Sequence, residues 1–156
     1  MASSDSKKMI SIMKENAPCA YLATCEGDEP RLRPVSPIVE DDLSIWVTTF
    51  SNSRKVRQIK ANPSVCLSFV DHPDGDRSAV VYGTAEIVED MKAKKRVWDM
   101  APFNLLQYFP DGPASKDYCL LRIIANKVEW RESWTGGTKV YEPGRKGARI
   151  PRKAMR

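Results

Sequence analysis

"RLRPVSPIVEDDLSIWVTTFSNSRKVRQIKANPSVCLSF", Arg31 to Phe69, compresses a hairpin, a polar loop, a short helix and a further strand into one stretch. Apolar residues alternate with polar ones in "LSIWVTTF" (43–50) and "SVCLSFVD" (64–71), the period of a half-buried strand. "RLRPVSPIVE" (31–40) is also extended, and Asp41-Asp42 suits a tight turn into the next run. Pro34 and Pro37 cannot donate to a ladder, so this strand lies at an edge or is interrupted. Thr48 and Thr49 close the third run. After a short loop, "SRKVRQIKAN" (53–62) has a Ser cap and stops before Pro63. Its first turn carries Arg54 and Lys55, against a macrodipole that favours anions there.

On either side of this stretch the same patterns continue. "CAYLATCE" (19–26) reads as a strand closed by the turn "GDEP". "AVVYGTAEIVE" (79–89) is another strand, reached through the loop "HPDGDRS". "DYCLLRIIANKVEWRESW" (117–134) predicts a final pair of strands, bent near Ala125-Asn126. Met9, Ile12 and Met13 stand at helical spacing before Pro18, and Met91, Lys94, Val97 and Trp98 share one side of a later helix. Many short strands with few long helices predict a mainly β (α+β) chain, an antiparallel barrel that is closed or nearly so. Residues 1–134 form the folded domain. Residues 135–156 are rich in Gly, Pro and cations and form a basic tail with Val140, Tyr141 and Ile150 as candidate anchors.

A chain of 156 residues with 42% hydrophobic and 29% charged content is an ordinary globular domain. No apolar run approaches the roughly 20 residues of a membrane helix. The N-terminus has no export signal, which points to a cytoplasmic protein. The net charge of +5 is uneven: 135–156 holds seven basic residues and one acidic, +6, and the rest holds eighteen basic and nineteen acidic, −1. The globular part therefore lacks the basic excess of a nucleic-acid binder, which argues against nucleic acid as a partner. Cys19, Cys25, Cys66 and Cys119 form no C-x-x-C pair, so no metal site is expected, and three of them sit in apolar runs as small hydrophobes. His72, the sole histidine, stands in turn chemistry, and no nucleophile or acid–base pair is evident.

The helix start at Ser53 is the candidate site. Its unpaired N–H groups and partial positive charge attract anions. Two further cations cost about 0.3–1 kcal/mol each in isolation, and a phosphate reverses the sign. Arg31 and Arg33 share one strand face, and Arg is the residue for bidentate phosphate contact. One hairpin therefore offers Arg33, free backbone groups at the prolines, the hydroxyls of Thr48 and Thr49, and a helix start. Such a site suits a phosphorylated ligand with a flat hydrogen-bonding ring. Trp46 reads equally as core or as a neighbour of that ring. Trp98 reads as core, and Lys92, Lys94, Lys95 and Arg96 as a solvated face.

These residues resemble the pyridoxamine 5'-phosphate oxidase-like, FMN-binding split-barrel superfamily. The resemblance rests on Arg33-Pro34-Val35, on Thr49 followed by Ser53-x-Lys55, on "NPSVCLSF", on "RSAVVYGTAEIVED" (77–90) and on "VEWRESW" (128–134). It implies a six-stranded antiparallel split β-barrel with Greek-key topology and flanking short helices. It implies a homodimer with FMN at the subunit interface, and an FMN-dependent oxidoreductase acting on a small-molecule substrate or electron donor. Arg33, Ser53 and Lys55, with Arg54, would hold the FMN phosphate. Pro34, the backbone of Val35 and Ser36, and Thr48 and Thr49 would line the flavin ring, and Ser78 and Trp130 would approach from the partner. The chain end has no histidine and lacks the family's pyridoxal phosphate-binding motif. The shorter general-stress-protein-like and nitroimidazole-reductase-like relatives are closer in pattern. The alternatives are a non-catalytic, stress-related flavin binder, and a barrel that takes a deazaflavin or haem.

Overall fold

The structure is a computed structural model and describes residues 3–144. Ser3 caps α1 (Ser4–Asn16) by accepting from the Ser6 N–H, and the helix buries Met9, Ile10, Ile12 and Met13. The strands are β1 (Ala20–Glu26), β2 (Glu29–Val35), β3 (Ile38–Val39), β4 (Ile45–Phe50), β5 (Ser64–Val70), β6 (Ser78–Val88), β7 (Tyr118–Arg131) and β8 (Lys139–Tyr141). Helix α2 (Arg54–Ala61) links β4 to β5, and α3 (Met91–Met100) follows β6. The sheet runs β2-β1-β5-β6-β7-β4-β3, with β8 on β7. Its two ends, β2 and β3, are consecutive in the chain and joined only by Ser36 and Pro37. A sheet whose outer strands are tied that closely must curl, and because β2 and β3 do not pair the result is a split barrel.

The strand count differs from the six expected: seven lie along the sheet and β8 is added. The run 31–40 divides at Ser36-Pro37, where the missing proline donor ends pairing. The final pair of strands is instead one strand, β7. Its pairing passes from Tyr82↔Lys127 to Gly83↔Ala125, so Asn126 is the extra residue of a bulge rather than a break. Gly83 makes the bulge possible, because a Cβ there would stand 1.8 Å from the Ile124 carbonyl oxygen. The folded chain also runs past Trp134. Lys139, Val140 and Tyr141 pair with Trp130, Glu129 and Val128, and Tyr141 packs on the core. Ile150 and the rest of 145–156 lie outside the described residues.

Alternation sorts the side chains into two cores. Leu22, Ile45, Val47, Leu67, Phe69, Val81, Leu121, Ile123 and Val128 fill the barrel, and α1 closes it with Met9 and Met13. A second cluster joins Ile38, Trp46 and Leu120 to Val97 of α3, Leu105, Phe109 and Tyr118. Trp46 is therefore core: its indole N–H donates to Glu40 at 2.7 Å, and Arg96 and Arg122 cover its ring. On α3, Lys92, Lys95 and Arg96 are exposed as expected, and Lys94 is half-buried. Lys94 donates to the Tyr118 carbonyl at 2.8 Å, and Arg96 pairs with Glu40 at 2.9 Å. Of the cysteines only Cys119 is buried; Cys25 and Cys66 are half-buried and Cys19 is exposed. Among the described residues no helix is long and apolar enough to cross a membrane.

Candidate functional site

Period-2 alternation on β2 turns Arg31 and Arg33 to one side and leaves Leu32 and Pro34 outside. β1 pairs β2 with Leu22 opposite Arg33, and α2 packs across β1, so the Arg33 side chain lies between a strand and a helix. Its Nη1 donates to the Leu22 carbonyl at 3.2 Å and to Thr24 Oγ1 at 2.7 Å, and its Nη2 to Gln58 Oε1 at 2.7 Å. Ser53 is the N-cap of α2, and its hydroxyl accepts from the Val56 N–H. Lys55, in the helix's first turn, donates to Thr49 Oγ1 at 2.8 Å. These groups border a groove of about 560 Å³ lined by Arg31, Leu32, Arg33, Asn52, Ser53, Arg54, Lys55 and Gln58.

The groove's electrostatics are unbalanced. Arg31 has Glu29 and Glu26 as partners, and Arg57 on the outer side of α2 has Glu26. Among the described residues no carboxylate pairs with Arg33, Arg54 or Lys55; Arg33 and Lys55 bond only neutral oxygens. Burial lowers the Arg33 guanidinium below its ordinary value, and the charges of Arg54 and Arg31 lower it further. Burial likewise lowers the Lys55 ammonium, with Arg33 adding to the effect. Cations that are partly desolvated and mutually repulsive gain most from an anion placed among them. The residues present thus fit a dianionic group: two half-buried cations, an exposed Arg54, and a capped helix start beside them.

Of the residues expected at the site, Arg33, Ser53, Arg54 and Lys55 come together at the groove, and Thr49 reaches it through Lys55. Pro34, Val35, Ser36 and Thr48 do not line it; the Ser36 hydroxyl donates to the Pro18 carbonyl at 2.7 Å. Ser78 and Trp130 belong to the β6–β7 pairing, away from the groove of the same chain. Trp130 is 3% exposed, inside the barrel core, with the Lys139 ammonium 4.7 Å from its ring. Sequence reading missed Thr24 and Gln58. Both left a signal: Thr24 continues the inward positions of Ala20 and Leu22, and Gln58 lies between Val56 and Ile59 among α2's buried positions.

A split barrel with an uncompensated cationic groove at a helix start defines a class of proteins that bind an anionic ligand. Comparison narrows it. The sequence profile of the pyridoxamine 5'-phosphate oxidase family matches residues 7–131, and the chain belongs to that family. No curated protein matches the chain. Among solved structures it is similar to general stress protein 26 from Bacillus anthracis str. Sterne (23% identity, 87% of this chain and 97% of that one, TM-score 0.70). A protein related to general stress protein 26, of the pyridoxinephosphate oxidase family, from Clostridium acetobutylicum has 21% identity, covering 88% and 96%, with TM-score 0.71. A heme binding protein from Mycobacterium smegmatis has 14% identity over 91% of this chain and 59% of that one, with TM-score 0.71. These likenesses, all below 25% identity, show the split-barrel fold.

Proposed function

We propose that this chain binds FMN and serves as an FMN-dependent oxidoreductase for a small-molecule substrate. The observation that carries the reading is the set of Arg33, Arg54 and Lys55, with no carboxylate partner among the described residues, around a groove at the start of α2. FMN ends in a compact phosphate dianion, and this groove matches that charge. Arg33 and Lys55 would hold the phosphate, Arg54 would add long-range attraction, and Thr49 keeps the Lys55 ammonium oriented. Bound FMN would supply hydride-transfer chemistry, which requires no protein nucleophile. The groove is lined by cations, an amide pair, a hydroxyl and one leucine, so the chain's own part there is binding and orientation.

The protein would act as a dimer with the ligand near the interface. Leu32, 67% exposed at the groove's rim, begins an outward row that continues through Ala23, Cys66 and Tyr82 on paired strands. A second copy on that face would cover apolar surface and close the groove's open side. The test is the visible spectrum of the purified or FMN-loaded protein, mass analysis of the released ligand, and light scattering of the same sample. An oxidised-flavin spectrum, an FMN mass and twice 17.6 kDa are expected. A Soret band, a deazaflavin mass, or failure to load at micromolar FMN overturns the reading.

A further inference from the structure

Among the described residues Arg33, Arg54 and Lys55 of the groove have no carboxylate partner, and the arrangement that leaves Arg33 so has a centre. Gln58 is 3% exposed, and every polar atom of its side chain is engaged. Its Oε1 accepts from Thr24 Oγ1 at 2.6 Å and from Arg33 Nη2 at 2.7 Å; its Nε2 donates to Glu26 Oε2 at 2.9 Å. Thr24, 2% exposed, in turn accepts from Arg33 Nη1 at 2.7 Å. The amide thus stands between a guanidinium and a carboxylate that would otherwise be natural partners. Its positive end meets Glu26, which Arg57 and Arg31 also engage, and its negative end meets Arg33. Arg33 receives two buried neutral side-chain acceptors that fix its plane, with the Leu22 carbonyl beside them, and no charge that cancels its own.

We propose that Gln58, supported by Thr24, is the positioning residue of the anion site, an inference that rests on the phosphate reading above. It holds the Arg33 guanidinium at the groove and separates it from Glu26, so that the full charge of Arg33 faces the ligand. A residue serving only as a hydrogen-bond acceptor would be replaced well by glutamate, whose carboxylate accepts from Thr24 and Arg33 more strongly than an amide does. A residue whose neutrality matters would not.

The experiment compares FMN with riboflavin, the same ring without the phosphate, by fluorescence titration of the full-length protein and of Gln58→Glu, Gln58→Met and Thr24→Val. Gln58→Glu weakens FMN binding by about tenfold or more, the scale of one charge-assisted hydrogen bond. Gln58→Met, uncharged and similar in length, weakens it less, and Thr24→Val by about fivefold, since the Gln58 side-chain acceptor remains. Riboflavin binding stays within about twofold throughout. Circular dichroism and thermal melts establish that each variant folds, and Thr24→Val carries the test if Gln58→Glu does not. A wild-type preference for FMN that survives Gln58→Glu and Thr24→Val unchanged overturns the role of Gln58, as does an equal loss of FMN and riboflavin. A wild-type protein that binds both flavins equally overturns the phosphate reading itself.

Discussion

At the scale of single residues, the site trades local stability for charge placement. Arg54 opens α2, where the helix's own positive end disfavours it, and no carboxylate among the described residues relieves it. Arg54→Ala therefore acts with opposite signs in two assays. It raises the stability of the ligand-free protein by about 0.3–1 kcal/mol, since it removes a cation from a helix start and adds a good helix former. It weakens FMN binding several-fold. Lys95→Ala, on the exposed side of α3, changes neither quantity. Urea melts and flavin titrations of the two variants check this; a loss of stability at Arg54 would show an unseen favourable role in the empty protein. This trade was legible in the sequence, because two cations in a first turn contradict a simple rule. For Gln58 only the buried position was legible, and not the role, because an amide inside a helix breaks no rule until the neighbours of its two ends are known.

At the scale of elements, the bulge in β7 and the aromatic cluster under α3 carry separate consequences. The β6–β7 pairing is the longest in the sheet, and the bulge opposite Gly83 lets it bend around the barrel. Gly83→Ala forces a methyl into the Ile124 carbonyl and destabilises the fold by about 2–4 kcal/mol, read from the denaturation midpoint. A change below about 0.5 kcal/mol would mean that the strand relaxes without cost. Tyr118 is buried, its hydroxyl donates to the Lys94 carbonyl at 2.9 Å, and burial pushes its phenol from 10.0 up to about 12. The folded protein thus keeps a proton that the unfolded chain releases. The stabilisation is complete below pH 10.0 and is lost as pH rises towards about 12. Thermal melts across that window fall more steeply for the wild type than for Tyr118→Phe; parallel slopes would contradict the assignment. The strands themselves were readable from period-2 alternation. The bulge was misread as a break because Ala125-Asn126 interrupts the apolar pattern either way, and only the partner strand shows that pairing resumes. β8 escaped notice because Lys139-Val140-Tyr141 is too short for periodicity and sits in a basic context.

At the scale of the molecule, the curled sheet explains why the site lies where it does. Ser36 and Pro37 join β2 to β3 across the open side of the sheet, and the chain then needs only β4 to reach the start of α2. Arg33 and Lys55, on different elements of one stretch of sequence, consequently face one groove. The barrel and the cationic half of the site were visible in one short stretch of sequence, whereas Ser78 and Trp130 were assigned by family resemblance alone. Neither lines the groove of the same chain, and Trp130 is buried in the barrel core. Every functional reading of this chain depends on the groove being built for a phosphate. Titration of the wild-type protein, Arg33→Ala and Lys55→Met with FMN and with riboflavin decides that. The expected result is FMN bound at least about 100-fold tighter than riboflavin by the wild type, with each variant losing roughly 10- to 100-fold for FMN and little for riboflavin. Equal affinity for the two flavins, or variants that keep the wild-type preference, would contradict it.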